Sequence, residues 1–203
     1  MARSQNRTLP LSNPLTESAV KEPLHFPPTR AKSDSVILPN LGGAITFEEA
    51  AGASLPVEGV DIRYIDGHED PRGELCEAWR PAWGLHPDPI AMVVYVTIRA
   101  GQVRGWVVHH LQDDRVFVAA GTLRIVLYDA REQSPTRGQV NILLLGTLRR
   151  AAFTIPAGVY HVFENVGTDD VVFIDMPNRP FDPEHPDTSR LPLDTPLIPF
   201  RWR

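Results

Sequence analysis

From about residue 57 onward, apolar and polar residues alternate in short runs that are separated by turn-forming residues. Alternation with a period of two is typical of half-buried β-strands. The spacing of roughly 8–12 residues between runs predicts an antiparallel sandwich or barrel, and no amphipathic helices suited to parallel βαβ units intervene. The pattern therefore predicts an all-β domain. The predicted strands are Val60–Ile65, Leu75–Arg80, Met92–Arg99, Val103–His109, Arg115–Ala119, Leu123–Tyr128, Gln139–Leu145, Ala151–Ile155, Val159–Asn165 and Val171–Asp175.

The N-terminal part of the chain lacks this pattern. Residues 1–40 are rich in Pro, Ser, Thr and charge, a composition typical of flexible chain. The segment Ile45–Ala51 predicts one short helix, with Thr46 as N-cap and Glu49 closing a capping box. We therefore divide the chain into a partly flexible arm, residues 1–56, and a β-domain, residues 57–203.

The C-terminal part is dense in proline, with six prolines after Pro177. Proline cannot donate a hydrogen bond to a sheet, and its ring fixes φ. We therefore expect this tail to wrap the barrel as irregular chain rather than to extend a sheet. Phe200 and Trp202, close to the end, are expected to anchor it in an apolar groove.

Composition narrows the function classes. The chain has 203 residues, a formal net charge of −5 and 42% hydrophobic residues, which suits one well-filled domain and argues against a general nucleic-acid binder. The single cysteine, Cys76, excludes an intramolecular disulfide and fits the reducing cytoplasm. The first residues are too polar for a signal peptide, and no apolar window approaches the length of a membrane span. We therefore expect a cytoplasmic protein with no membrane or nucleic-acid partner.

Residues 101–121 contain a regular spacing of glycines and potential ligands. Gly101 and Gly121 enclose position 107, His109 and Asp114, with five, one, four and six residues in the successive gaps. This spacing resembles the first metal-binding motif of cupins, in which position 107 is also a histidine, whereas here it is Val107. Residues 107 and 109 of one strand point to the same face. Both side chains should therefore lie inside the barrel if either does.

The second half of that motif follows further along the chain. Pro156, Gly158, His161 and Asn165 have the spacing P-x-G-x-x-H-x-x-x-N. A Pro-x-Gly turn redirects the chain, which would deliver His161 into the lumen. A lone histidine in a barrel is more often a hydrogen-bonded core residue. Two histidines brought together by complementary motif halves instead favour a pair that faces a ligand.

Asp114 fits two interpretations equally well. It precedes a predicted strand, so its carboxylate could bind local backbone N–H groups in a turn. It could also act together with His109 and His161. Three ligands with open positions can hold a metal ion, so a metal site remains an alternative, although Val107 removes one ligand. No cofactor is expected.

Taken in order along the chain, several motifs resemble the dTDP-4-dehydrorhamnose 3,5-epimerase family of cupins. The resemblance covers about residues 57–203, and the run of motifs is more specific than any one of them. The motifs are Asp70-Pro71-Arg72-Gly73-x-x-x-Glu77, Val103-Arg104-Gly105, Gly121, Tyr128-Asp129-Ala130-Arg131 with Ser134-Pro135-Thr136, and Ile155-Pro156-Ala157-Gly158-Val159-Tyr160-His161-Val162-Phe163.

The resemblance implies a double-stranded β-helix, or jelly roll, that is commonly dimeric and binds a nucleotide-linked keto-sugar at its mouth. In such enzymes the residues at the places of Arg72, Glu77 and Arg104 face the nucleotide or sugar, and no metal is needed. Their base is a histidine at the place of Val107, and an alkyl side chain cannot accept a proton. A carboxylate that assists this base would align near residues 178–179, where the chain has none.

These observations lead to hypotheses of different classes. The first is an epimerase-like cupin that uses His109, His161 and Asp114 for altered or relocated acid–base chemistry on a nucleotide-sugar or a similar anionic or polyol ligand. The second is a cupin that binds a small molecule without turnover, with Trp106 and Tyr160 giving its pocket a stacking surface. The third is a metal-dependent cupin that uses the same two histidines and the aspartate. In each case we expect a homodimer.

Overall fold

The computed structural model describes residues 56–202, which form strands in two packed sheets and a separate hairpin. The helix predicted for Ile45–Ala51 lies outside the described residues. None of the helical segments in residues 56–202 has the length and apolarity that crossing a bilayer requires. The strands are β1 Ile62–Tyr64, β2 His68–Asp70, β3 Gly73–Leu75, β4 Val94–Ile98, β5 Val103–His109, β6 Asp114–Ala120, β7 Thr122–Asp129, β8 Val140–Gly146, β9 Ala151–Ile155, β10 Val159–Asn165, β11 Val171–Asp175 and β12 Thr188–Arg190.

Both large sheets are antiparallel. One has the strand order β1-β9-β6-β11-β4 and the other β12-β5-β10-β7-β8, while β2 and β3 form the hairpin. The inward-facing side chains of the two sheets meet in one apolar core, which includes Val116, Leu123, Phe153 and Phe173. Burial of alternate residues from facing sheets is the arrangement that the period-two pattern predicts. The all-β jelly-roll fold is therefore confirmed.

Strands β5 and β10, which carry the two motif histidines, approach each other very closely at Gly105. Gly105 has φ of 134°, and a Cβ atom built on it would lie 2.7 Å from the backbone oxygen of His161. The register of the pair shifts between His161 and Phe163. Glycine at this position therefore permits the close contact that brings the two strands together.

The proline-rich tail contributes a strand, so the prediction of a wholly irregular tail is wrong at Thr188–Arg190. These three residues form β12 and pair with β5 at the edge of the second sheet. They lie between Pro186 and Pro192. All three retain their N–H groups, and an edge strand needs donors on one side only. The other predicted feature of the tail is present, because the rings of Phe200 and Trp202 lie 6.2 and 6.4 Å from the ring of Trp106.

The predicted strand Leu75–Arg80 is also wrong beyond its first residue. Strand β3 ends at Leu75, and the chain then runs into one turn of 3-10 helix at Pro81–Trp83. This course places the ring of Trp79 5.7 Å from the guanidinium carbon of Arg115, a residue with no exposed surface. The segment after β3 therefore covers the outer face of β6 instead of continuing the hairpin.

Candidate active site in the barrel lumen

A cavity of about 200 Å³ opens into the lumen between the two sheets. Its lining side chains come from six strands, because each strand directs alternate residues inward. The apolar lining residues are Val96, Val107, Phe163 and Phe173, and the polar ones are Arg104, His109, Asp114, His161, Asp175 and Arg190.

The two motif histidines meet in this cavity on either side of one carboxylate. The imidazole rings of His109 and His161 are stacked with centroids 5.7 Å apart. The Oδ2 atom of Asp114 lies 3.6 Å from Nε2 of His109 and 3.7 Å from Nε2 of His161. Gln112 donates a hydrogen bond of 2.6 Å to the other carboxylate oxygen. Asp114 is thus the buried first residue of β6, and the turn interpretation does not hold.

His161 is buried, and its environment favours the neutral ring. Burial lowers the pKa of His161, and the positive charge of Arg190 and the neighbouring His109 act in the same direction, whereas Asp114 opposes them. Its Nδ1 lies 3.3 Å from the carbonyl oxygen of Val159. A carbonyl oxygen only accepts, so Nδ1 carries the hydrogen of the neutral ring. The Nε2 lone pair of His161 is therefore available to take a proton, with Asp114 beside it to stabilise the imidazolium.

His109 differs from His161 in exposure and in its partner. Its side chain retains 18% exposure, and its Nδ1 lies 3.3 Å from the hydroxyl oxygen of Thr188 on β12. A hydroxyl can donate or accept, so this contact allows either ring nitrogen to carry the hydrogen. Val107 lies in the same cavity two residues before His109, and it offers no polar atom there.

The sequence analysis missed a second carboxyl group in the cavity, that of Asp175 on β11. Its Oδ1 is buried and has no hydrogen-bond partner within residues 56–202. Burial, and after it the charge of Asp114, raises the pKa of Asp175 to about 8. The raised pKa favours the protonated carboxyl group, which can donate a hydrogen bond. Alternation could have revealed the residue, because Val171 and Phe173 on the same strand also face inward.

The turn that delivers His161 is held by Asp113. Its Oδ1 accepts a hydrogen bond of 2.7 Å from the backbone N–H of Ala157, within the Pro-x-Gly turn. Its Oδ2 lies 3.0 Å from Nε2 of His86 and 3.2 Å from the amide nitrogen of Asn178. Asn178, near which an assisting carboxylate was expected, thus supports the turn from outside the cavity.

Two predicted stacking residues do not line the cavity. Trp106 is fully buried on the opposite face of β5, under Phe200 and Trp202. Tyr160 precedes His161 on β10 and packs against the same outer cluster. Neighbours in a strand face opposite sides, so the residues beside Val107 and His161 could not share their lumen.

Two further predicted ligand residues lie elsewhere. Arg72 is at the turn of the β2–β3 hairpin, where its side chain is 89% exposed and forms an ion pair with Asp70. Glu77 follows the hairpin and forms an ion pair with Arg80. Of the three residues that the resemblance assigned to the nucleotide or sugar, the structure places only Arg104 at the cavity.

Comparison with known protein families shows to which family the chain belongs. The family described as dTDP-4-dehydrorhamnose 3,5-epimerase matches residues 54–202, which is more than half of the chain. The chain belongs to this family. The family match covers the whole of the described domain, including the hairpin, both sheets and the tail.

Individual relatives agree with this assignment. The chain is 31% identical over 147 residues to the probable low-salt glycan biosynthesis epimerase Agl13 of Haloferax volcanii, covering 72% of this chain and 94% of that protein. It is 29% identical over 146 residues to the spore coat polysaccharide biosynthesis protein SpsL of Bacillus subtilis, covering 72% and 96%.

Solved structures also resemble this family member. A dTDP sugar isomerase from Desulfovibrio desulfuricans superposes with a TM-score of 0.68 at 26% identity, covering 74% of this chain and 95% of that one. The 3′-monoepimerase ChmJ of Streptomyces bikiniensis, crystallised with dTDP-quinovose, gives 0.64 at 25% identity, covering 73% and 77%.

Proposed function

We propose that this protein holds the sugar of a nucleotide-linked keto-sugar in the lumen and transfers a proton at a carbon next to the ketone. The observation that carries the proposal is the stacked pair of His109 and His161 around Asp114, inside a barrel of the epimerase family. The cavity of about 200 Å³ is smaller than typical ligand pockets of about 300–1,000 Å³. It therefore suits a sugar ring, with the nucleotide outside the mouth near Arg104.

The two carboxyl groups and the two imidazoles suit both steps of this chemistry, the removal of a proton from carbon and the stabilisation of the enolate that forms. Neutral His161 accepts the proton from carbon at Nε2, and Asp114 stabilises the imidazolium that forms. The electron pair of the broken C–H bond moves onto the ketone oxygen as an enolate. Asp175, whose raised pKa favours the protonated carboxyl group, donates a hydrogen bond to that oxygen. Return of a proton from solvent to the opposite face of the carbon inverts it, while His109, which contacts the same carboxylate as His161 and is partly exposed, passes the abstracted proton on to solvent.

Proton exchange in deuterated water tests this proposal. The protein is incubated with a dTDP-4-keto-6-deoxy sugar, and deuterium incorporation at C3 and C5 is followed by NMR. We expect His161→Gln and His109→Gln to reduce incorporation by at least about 100-fold, the low end of general acid–base contributions. His185→Gln is the matched control, because His185 lies outside the cavity and its side chain is 83% exposed.

The possible outcomes separate the hypotheses. Exchange that persists in both cavity variants would refute the assignment of these residues. Binding without exchange in the wild-type protein would make it a sugar-binding cupin without turnover. In that case Val107→His becomes informative, because exchange created by the new imidazole would show that the barrel retains the family's substrate position.

A metal ion at the same place is the second candidate, supported by the geometry of the potential ligands. One atom each of His109, Asp114 and His161 can be chosen so that all lie within 4.8 Å of one another. Two imidazole nitrogens and one carboxylate oxygen fit a divalent cation such as Zn²⁺. Metal analysis of protein purified without a His-tag tests this candidate. Stoichiometric metal that is lost in Asp114→Asn would support it, whereas no uptake on adding Zn²⁺ would exclude it.

We also propose a cytoplasmic homodimer. The edge strand β4 exposes Tyr95, and Val93 just before it is equally exposed, each at 66%. Arg72 and Glu77 lie outside the cavity of their own chain, so a role in nucleotide binding would require a second copy. Light scattering tests the dimer, and a chain that elutes as a monomer at micromolar concentration would contradict it.

A further inference from the structure

The short tail strand β12 is fastened to the cavity strand β5 and the turn after it by side chains of successive residues. Asp187, just before it, accepts hydrogen bonds of 3.1, 3.0 and 2.8 Å from the backbone N–H groups of residues 110, 111 and 112. The hydroxyl of Thr188 contacts His109, and that of Ser189 lies 2.7 Å from Nε2 of His110. These contacts hold the backbone of Arg190, the next residue, against β5.

Arg190 lines the cavity beside Val107. It is the register partner of Val107 in the antiparallel pair β12–β5. Directly paired residues of neighbouring strands project to the same face, and both line the cavity. Arg190 shares the lining of this cavity with His161. The neutral side chain at position 107 thus has a permanently charged neighbour.

Neither Arg190 nor Arg104 has an ion-pair partner within the described part of the chain. Other arginines of the domain do pair: Arg124 with Glu164, Arg131 with Asp129, and Arg150 with Glu74. Neither carboxyl group of the cavity forms an ion pair with the two cations within residues 56–202, because Asp114 contacts the two histidines and Oδ1 of Asp175 has no partner. Two unpaired guanidinium groups at one mouth suit an anionic oxygen group, which arginine binds through paired N–H donors.

We propose that Arg190 binds an anionic oxygen group of the ligand beside Val107 and is a specificity-determining residue of this cavity. The inference rests on the proposed nucleotide-sugar function and adds a residue to it. Two sources of such a group share this chemistry, namely the diphosphate that links nucleotide and sugar, and a carboxylate on the sugar itself. Arg190 lies at the mouth, where its side chain is exposed, so it is free to take either.

Calorimetric titration with three probes tests this role. Dissociation constants are measured for dTDP, dTDP-glucose and dTDP-glucuronate with the wild-type protein, Arg190→Gln and Arg190→Lys. We expect Arg190→Gln to weaken binding about 10- to 100-fold, the loss typical of a charge-assisted hydrogen-bond pair. Arg190→Lys should recover part of the loss, because it restores the charge without the paired donors. Arg137→Gln, an equal charge change at an exposed residue outside the cavity, is the matched control.

The pattern across the probes assigns the source of the anion. A similar loss of affinity for all three probes would show that Arg190 binds the diphosphate. A loss of affinity confined to dTDP-glucuronate would show that Arg190 binds the sugar carboxylate. If the wild-type protein binds the probes and Arg190→Gln changes their dissociation constants by less than about twofold, the inference is overturned. The proposed function would remain intact. A wild-type protein that binds none of the probes would overturn both.

Discussion

Replacing Gly105 by alanine tests whether the close approach of β5 and β10 builds the site. The alanine Cβ would lie 2.7 Å from the carbonyl oxygen of His161 and 2.7 Å from Cγ2 of Val162. The φ of 134° at this residue is also unfavourable for any side chain. We estimate about 1–3 kcal/mol for the backbone conformation and about 1–3 kcal/mol for the crowding. The free energy of unfolding should therefore fall by about 2–6 kcal/mol.

Gly73 provides a matched control for this substitution. Its φ is 132°, almost the same as that of Gly105, but no atom lies within 4 Å of a Cβ built there. Gly73→Ala should therefore show only the backbone cost, and the difference between the two variants should isolate the crowding of about 1–3 kcal/mol. Urea titration with an unchanged m-value measures both. Equal destabilisation by the two variants, within about 0.5 kcal/mol, would refute the argument that close packing requires Gly105.

Three further predictions concern buried charge and the aromatic anchor. Burial alone would raise the pKa of Asp129, but donors including Arg131 lower it by more, to well below its usual range. Asp129→Asn should therefore cost about 3–5 kcal/mol in urea titrations at pH 7, and the difference from wild type should shrink only as the pH falls below about 4. The pKa of about 8 at Asp175 means that the native carboxyl stays protonated where the unfolded one ionises. Wild-type stability should thus decline as the pH rises from about 4 to 8, and Asp175→Asn should lack that slope. Trp202→Ala removes ring contacts with Trp106 and Phe200, and it should cost about 1–3 kcal/mol in thermal unfolding.

Period-two alternation predicted most of the barrel from the sequence. Four strands begin and end at the predicted residues, namely Val103–His109, Ala151–Ile155, Val159–Asn165 and Val171–Asp175. These strands have a buried face and are bounded by turns, so the pattern is strong. The same rule predicted that His109 and His161 face one lumen, although it could not predict the 5.7 Å distance between their ring centroids.

Alternation also explains which predicted site residues lie outside the cavity. The prediction that Trp106 and Tyr160 line the cavity is wrong, because their immediate neighbours line it and adjacent residues of a strand face opposite sides. Extending the inward series along β11 would have reached Asp175 from Phe173. The three residues of β12 were beyond the rule, because a polar segment of that length between prolines has no recognisable period. Its pairing depends on Asp187 and on contacts distant in sequence.

The tail packs on the outer face of the barrel and also supplies a residue to its lumen. Trp106 and Val107 are neighbours on β5, so one faces outward and the other inward. On the outer side Trp106 packs against the tail through Phe200, with ring centroids 6.2 Å apart. On the inner side the same tail places Arg190 beside Val107. A weaker anchor on the outer face should therefore also loosen the strand that supplies Arg190 to the cavity. Because one segment makes both contacts, the stability of the tail and the affinity for an anionic ligand should change together.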